Sequence, residues 1–418
     1  MNQDRIVYAL SAMALTIERK SGPLSRRKVK LSRAGSSQSM LPVVEDVFVE
    51  AVRDLSSDGR GVIEAPDGQI LFVSGVWPGE EVEIKRSRRG KSVVAELQSI
   101  LTPSTARLDP VCVHHQQGSC GGCPWMFVDY QEQLQQKQNR LSKVAKRIAF
   151  TKQTCLVREA PQSLGYRNRA QLKSDGVKLG YVAKGSHELA DVTECPVLTD
   201  VNQRQLATLR KTLPNRDWRP RKHQQWTTID IDDERGTPLI NQRQAFRQGN
   251  SDQNNQLRKW LSTKLASLPM PGSVFEFFCG SGNLTELISQ QIKSPVIAVE
   301  ADALSIDELT ARALPNVRPV RVNLFSEPSI TSHLPVAEHE IGIVMDPPRD
   351  GLKERDALAA WFMRAQWVVY VSCDAATWER DAIFLQACGL FADDVSGLDM
   401  FPHTPHIEIL SVFKRESR

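Results

Sequence analysis

Val274-Phe275-Glu276-Phe277-Phe278-Cys279-Gly280-Ser281-Gly282-Asn283-Leu284-Thr285 reads as an apolar strand, a glycine-rich turn and the start of a helix. Without side chains at Gly280 and Gly282, the backbone can come close to a ligand. The next strand, Val296-Ile297-Ala298-Val299, ends in Glu300, twenty residues after Gly280. An acidic group at that place can accept both hydroxyls of a ribose. From about residue 251 onward, helical and strand-like segments alternate, as a parallel α/β sheet requires. A nucleoside-type ligand at the carboxyl edge of that sheet is the expectation.

Nicotinamide dinucleotides use a third glycine to admit the pyrophosphate. Asn283 stands there instead, which suits S-adenosylmethionine (SAM), a ligand without phosphate. Val322-Asn323 ends a third strand, where a carboxamide could read the adenine. Ile341-Gly342-Ile343-Val344-Met345 is stopped by Asp346-Pro347-Pro348-Arg349, which sets Asp346 at the ligand-binding edge of the sheet. Further on, Val368-Val369-Tyr370-Val371-Ser372-Cys373 is a buried strand that delivers a thiol to a loop, and His406-Ile407-Glu408 opens the last strand. A nucleoside site, a thiol and a carboxylate in one domain point to covalent catalysis of group transfer.

The cysteines upstream are of another kind. Cys112, Cys120 and Cys123 are spaced C-x7-C-x2-C among glycines, and Cys195 lies seventy-two residues beyond Cys123. Thiolates ligate both iron–sulfur clusters and zinc. Zinc sites favour paired C-x2-C knuckles. One such pair, a third cysteine in the same loop and a distant fourth resemble ferredoxin-like ligation, with zinc or unligated thiols as the alternatives. His114 and His115 are left out of the ligand set, and Cys155 and Cys388 read as packing residues. Clustered rather than paired cysteines imply a reducing, cytoplasmic setting.

Charge divides the chain. Residues 1 to 250 hold 38 Lys and Arg against 27 Asp and Glu, and residues 251 to 418 hold 15 against 22, so the front half suits a polyanion. Residues 1 to 45 read as a basic, disordered tail, with Met40 an alternative start. Residues 46 to 104 carry five short strand patterns separated by Asp58-Gly59, Asp67-Gly68 and Pro78-Gly79, which fits a small β-barrel. The run Lys85-Arg86-Ser87-Arg88-Arg89-Gly90-Lys91 is expected to form a phosphate-tracking edge of it. Residues 105 to 245 form a central domain, with Leu134, Leu141, Val144, Ala145 and Ile148 marking one face of a helix over 130 to 150. Residues 246 to 418 form the α/β domain. No apolar stretch approaches the roughly 20 residues of a membrane span, so no membrane partner is expected, and a monomer is.

Asp58-Gly59-Arg60-Gly61-Val62, Phe72-Val73, Trp77-Pro78-Gly79-Glu80 and Arg107-Leu108-Asp109-Pro110 give residues 46 to 104 a resemblance to the TRAM domain, an OB-like RNA-binding barrel. Phe246-Arg247-Gln248-Gly249-Asn250, Phe278-Cys279-Gly280-Ser281-Gly282-Asn283, Asp346-Pro347-Pro348-Arg349, Ser372-Cys373, Met400-Phe401-Pro402-His403-Thr404 and His406-Ile407-Glu408 extend the likeness. Residues 46 to 418 resemble the RNA 5-methyluridine methyltransferases, above all the bacterial 23S ribosomal RNA branch with a TRAM domain and a 4Fe-4S cluster.

The resemblance implies an α/β class I SAM-dependent methyltransferase (Rossmann-like) domain, an N-terminal OB-like barrel and a central iron–sulfur domain. It implies Cys373 as nucleophile and Glu408 as general base. Gln248, Phe278, Asn283, Glu300, Asn323 and Asp346 become SAM contacts, and Cys112, Cys120, Cys123 and Cys195 cluster ligands. The implied reaction is 5-methyluridine formation in 23S RNA. The alternatives are the same product in transfer RNA or at another ribosomal position, or a weakened RNA-binding factor on the same fold. Two residues depart from the pattern. Asp374-Ala375 stands where the family commonly has Asn-Pro, and Glu276 replaces an Asp. A carboxylate at 374 is expected to raise the pKa of the neighbouring thiol.

Overall fold

Residues 46 to 102 alternate apolar and polar side chains, the pattern of strands with one wet face. A computed structural model describes residues 45–89, 92–152, 155–183, 186–337 and 339–415. Met40, nearly all of the expected basic tail, and Gly90-Lys91 lie outside the described residues. Strands β1 (Asp46–Ala51), β2 (Asp54–Leu55), β3 (Gly61–Glu64), β4 (Ile70–Val73), β5 (Glu81–Arg89) and β6 (Ser92–Thr102) make two three-stranded sheets, ordered β1-β5-β6 and β2-β3-β4. Val52, Ile63, Val73, Val76, Val82 and Ile84 form the core between them.

The basic run departs from expectation. Residues 85–89 continue β5, the middle strand of its sheet; Lys85 and Arg86 pair with β1 on one side and β6 on the other, whereas residues 87–89 pair with β6 alone. Half-buried Arg86 donates to both oxygens of Asp46, at 2.9 and 2.7 Å, and to Asp67 at 2.6 Å. These two carboxylates push its guanidinium pKa further up. Arg86 therefore ties β1 and the β3–β4 turn to β5 and is not a free phosphate ligand.

The middle segment contains α1 (Val113–Gln116), α2 (Tyr130–Arg147), β7 (Val157–Arg158), β8 (Arg169–Ser174), β9 (Leu179–Val182), β10 (Leu189–Asp191), α3 (Asp200–Arg210), β11 (Thr227–Asp232) and β12 (Leu239–Ile240). Its antiparallel sheet, ordered β10-β9-β8-β11-β12, packs Leu172, Leu179, Ile229 and Ile231 against Leu206 of α3. Asp129 caps α2 by accepting from the Gln131 N–H. The apolar face of α2 (Leu141, Val144 and Ala145), with Ile148, joins the core of the large C-terminal sheet. Gln133 and Lys137 are buried on the same helix.

That sheet is built from β13 (Ser273–Phe277), β14 (Val296–Glu300), β15 (Val317–Arg321), β16 (Ile341–Met345), β17 (Ala365–Ser372), β18 (Leu390–Leu398) and β19 (Glu408–Arg415). The helices between and before them are α4 (Ser251–Ser267), α5 (Thr285–Gln291), α6 (Ala303–Ala311), α7 (Glu327–His333), α8 (Arg355–Arg364) and α9 (Ala375–Ala387). The order is β15-β14-β13-β16-β17-β19-β18-β7. Every residue of β16 is buried, as in a strand covered on both faces.

The expectation of a wholly parallel sheet is corrected. β19 runs antiparallel to both β17 and β18. The α9 crossover leaves room for one strand, and the chain returns from the other end to fill it. β13 lies where the strand order reverses, so a crevice opens outside its carboxyl end.

Gly342 in β16 faces Trp367 in β17. A Cβ at 342 would lie 2.1 Å from indole Cζ2, and the ring is pinned by its N–H bond to the Pro269 carbonyl at 2.9 Å. Gly342→Ala is therefore expected to cost about 3 kcal/mol, the overpacking range, read as a lower urea midpoint with an unchanged m-value.

Candidate active site

The turn after β13 is locked from three sides. Phe278 takes a positive φ of 62° and packs against Phe325 with ring centroids 5.4 Å apart. Glu300, at the end of β14, accepts the N–H of Gly280 at 3.1 Å, of Ala301 at 2.7 Å and of Asp302 at 3.0 Å. Asn283 and Asn254 exchange amide bonds of 3.0 and 2.8 Å, which anchors the turn to α4. A side chain at Gly282 would strike Leu309 at 2.6 Å, whereas at Gly280 nothing lies within 4 Å. The open space there belongs to a cavity of about 640 Å³.

All eight residues singled out for the α/β domain line that one cavity: Gln248, Phe278, Asn283, Glu300, Asn323, Asp346, Cys373 and Glu408. The carboxamide oxygen of Asn323 accepts from Phe325 N–H at 2.9 Å, leaving its NH₂ free for the cavity. The backbone carbonyl of Gln248 is held by Asn168 at 3.1 Å.

Cys373 follows β17, Asp346 follows β16, and Glu408 begins β19. Burial, then the carboxyl groups of Glu408 and Asp346, push the Cys373 thiol up to about 12. Burial pushes Asp346 up to about 7 and Glu408 well above the usual carboxylate range. Asp346 faces the cavity, so water reaches it although protein surrounds it. His406 is driven down to about 4 by burial and Arg349, and its neutral ring meets the Arg349 guanidinium at 3.0 Å. Burial thus favours the protonated forms of Cys373 and Glu408, and the Arg349 charge opposes it at both.

The expected effect of Asp374 is small. Its carboxylate caps α9, accepting the N–H of Ala376 at 3.0 Å and of Thr377 at 2.9 Å. Its charge is the least of the influences on Cys373, behind burial, Glu408 and Asp346.

The loop between β18 and β19 has partners on α2 and α4 that motif reading did not weigh. Lys137 and Asp399 form an ion pair with both side chains fully buried. Gln133 accepts from the His403 N–H at 2.9 Å and bonds its ring Nδ1 at 3.1 Å. Gln253 and Asn250 of the α4 start donate to the carbonyls of Asp399 and Met400 at 2.7 and 3.1 Å. A lysine inside a polar helix reads as solvated, so its spacing from Leu141 and Val144 was the only available signal.

Cys112, Cys120, Cys123 and Cys195 line a second cavity, of about 480 Å³. Burial, with the neighbouring cysteines adding to it, pushes Cys123 up to about 12; burial first likewise raises Cys195 to about 11. Among the described residues no three His, Cys, Asp or Glu side chains converge tightly enough to hold a single ion. His114 is turned to Thr193, accepting its N–H at 3.0 Å. Phe401 of the β18–β19 loop packs with Cys112, Cys123 and Cys195 around Met126, Tyr166 and Val197.

No protein-family model matches the chain. An uncharacterized RNA methyltransferase of Nitrosomonas europaea is 38% identical over 382 residues, spanning 88% of this chain and 97% of the relative. The chain belongs to the RNA methyltransferases. Among more distant relatives are the 23S rRNA (uracil(1939)-C(5))-methyltransferase RlmD of Halomonas elongata, 27% identical, covering 92% of this chain and 91% of the relative. That of Vibrio cholerae is 28% identical, with 83% and 91% covered. The solved Pyrococcus abyssi tRNA (uracil-54, C5)-methyltransferase in complex with S-adenosyl-L-homocysteine shares the fold, with a TM-score of 0.66 at 19% identity, over 87% of this chain and 99% of that one. Among the described residues of this RNA methyltransferase, no helix is long and apolar enough to cross a membrane.

Glu276, on β13 beneath the cavity, is buried with one carboxyl oxygen unpartnered. Burial, with Asp346 adding to it, moves its pKa from 4.5 to about 8. Between those values the folded methyltransferase keeps a proton that the unfolded chain has released, so stability falls as pH rises through that window. Glu276→Gln is expected to melt at a higher temperature than the parent at pH 8, with the difference vanishing at pH 4. Thermal unfolding followed by circular dichroism at the two pH values checks this.

Proposed function

We propose that this protein methylates carbon 5 of a uridine in 23S ribosomal RNA, with SAM as methyl donor and a covalent bond from Cys373 to carbon 6 as the activating step. The observation that carries the proposal is the convergence of the glycine-rich turn, Asp346, Cys373 and Glu408 on one cavity. The relatives named for uracil-C5 methylation of 23S RNA, which match nearly the full chain, support the RNA target.

Carbon 5 of uracil is a poor nucleophile until carbon 6 has been attacked. The Cys373 thiol gives up its proton to solvent, the sulfur bonds carbon 6, and the electron pair of the 5,6 double bond moves through carbon 5 onto the carbonyl oxygen of carbon 4. When bound, SAM supplies the methyl group that carbon 5 takes up. Glu300 offers a carboxylate to its ribose, Asn323 an NH₂ to its base, and the bare Gly280 backbone lets it approach. Glu408 then removes the remaining proton from carbon 5 and the carbon–sulfur bond breaks, which frees Cys373. The burial that makes Glu408 hold its proton tightly also makes its ionised form a stronger base. A uridine inside a stacked helix does not reach this thiol, so the base is flipped out.

The four-cysteine cavity fits a 4Fe-4S cluster better than zinc. Zinc draws four sulfurs to about 2.3 Å of one point, whereas a cubane takes one thiolate at each iron and leaves them spread around its volume. Bound there, a cluster supplies cross-links between the 112–123 loop and Cys195. The three segments would then divide the labour, with residues 46–104 binding RNA, 105–245 holding the cluster and 246–418 carrying the chemistry.

Two outcomes follow. Cys373→Ala abolishes both methylation and the covalent adduct with 5-fluorouridine RNA, while Glu408→Gln abolishes turnover yet accumulates a methylated protein–RNA species that survives denaturing gels. Both keep SAM binding by calorimetry; methylation by Cys373→Ala would refute nucleophilic catalysis. Separately, anaerobically purified protein contains about four irons per chain by metal analysis and loses them in Cys120→Ser; stoichiometric zinc without iron is the contrary result.

A further inference from the structure

A third, smaller cavity of about 160 Å³ lies beside Cys373 and shares Arg349, Cys373, His406 and Ile407 with the cofactor cavity. Ser57 of the N-terminal barrel and Arg140 of α2 close it from the other side. It belongs to neither the glycine-rich turn nor the cysteine site. We infer that this cavity receives the ribose-phosphate backbone at the target uridine, with Arg140 as the phosphate ligand. The inference rests on the uracil-C5 reading above and adds to it where the rest of the nucleotide goes.

The chemistry of the base dictates the direction. Carbon 6 of uracil lies between carbon 5 and N1, and N1 carries the ribose. When carbon 6 is at the Cys373 sulfur and carbon 5 faces the methyl donor, the ribose projects past the sulfur, away from the donor. The small cavity touches Cys373 but neither the glycine-rich turn nor Glu300, which sets it on the side of the thiol away from the donor.

Its charge is suited to a phosphodiester. Arg140 is half-buried, and its bonds are to carbonyls: Nη1 donates to Ser57 at 3.1 Å and more weakly to Pro405 at 3.4 Å. A guanidinium has five donors, so most of Arg140's are free for a ligand. The two nearby acids are already engaged. Asp58 is bound by Arg60 at 2.8 Å and by Ser56 at 2.5 Å, and Asp374 by the α9 backbone. Arg349 lines both cavities and is hydrogen-bonded to the neutral ring of His406. By contrast Lys143 and Arg147, farther along the same face of α2, are already paired with Asp54 and Glu379. They line an adjoining groove with Arg140, which gives the strand a path onward along the helix.

The barrel loop that roofs the cavity is tightly seated. Trp125 Nε1 donates to the Gly59 carbonyl at 3.0 Å, and a Cβ at Gly59 would lie 2.7 Å from that nitrogen and 3.0 Å from Pro405. The Ser57 carbonyl that orients Arg140 is therefore held in place before RNA arrives.

The test uses the full chain, 23S RNA transcribed without modifications, and labelled SAM over a series of salt concentrations. Arg140→Gln is expected to raise KM for RNA about tenfold and to make the slope of log kcat/KM against log salt shallower by about one, the loss of one phosphate contact. Arg140→Lys, which keeps the charge, should keep the parent slope, a rescue that a purely structural role does not produce. A slope unchanged in Arg140→Gln overturns the inference. Should that variant fold poorly, interference with the parent protein decides. RNA ethylated at the phosphate on either side of the target uridine should fail to form the 5-fluorouridine adduct, and adduct formation unaffected at both phosphates overturns the inference. A parent protein that neither methylates nor forms any adduct overturns the uracil-C5 reading, and this inference with it.

Discussion

The ion pair between Lys137 and Asp399 is the contact on which the catalytic arrangement depends. Both side chains are wholly removed from solvent, so each charge requires the other. Desolvation pulls the Lys137 pKa down while Asp399 opposes it. The ammonium also reaches the Phe401 carbonyl at 3.3 Å and lies 5.8 Å from the Trp125 ring centre. One helix from the middle of the chain is thereby bound to the loop that precedes Glu408. That loop has few backbone partners of its own, and side chains satisfy its carbonyls instead: Gln253 at 399, Asn250 at 400 and Tyr166 at 402. His403 keeps a positive φ of 65° within this network. A residue in that conformation persists where its surroundings over-determine it.

The same loop joins the two large cavities. Met400 and Phe401 line the cofactor cavity, and Phe401 also packs among the cysteines of the other. The cysteine site thus touches the segment that sets Glu408 and His406. The thiol shares one poorly solvated space with the carboxyl groups of Glu408 and Asp346: burial raises the hold of all three on their protons, Asp346 adds to that of Glu408, and both carboxyl groups add to that of the thiol. Perturbation of this kind is characteristic of sites where protons are moved during a reaction.

Much of this was legible in the amino-acid order because its signals are local. Glycine and proline punctuation placed the turn after β13 and the stop at Asp346, and β-branched runs located β16 and β17. The four cysteines could be grouped by spacing, and the fold brings them to one cavity. What escaped reading depends on partners distant in sequence. Gln133 and Lys137 look like surface residues until the 399–407 loop covers them. Arg86 looks like a free cation until Asp46 and Asp67 close on it. Asp374 looks like a burden on the thiol until α9 begins at the next residue and takes up its carboxylate. The reversed direction of β19 has no local signature, since periodicity tells that a strand exists and not which way its neighbours run.

The position of β19 also bears on how the protein is made. It is the last strand along the described chain, yet it lies inside the sheet, hydrogen-bonded on both sides. Synthesis is vectorial, so β17 and β18 leave the ribosome before the strand that must come between them. Until residues 408–415 emerge, the sheet has a gap in its middle and Cys373 exists without Glu408. Cys373 and Glu408 come together only when the sheet is complete, which ties the assembly of the cavity to the end of folding.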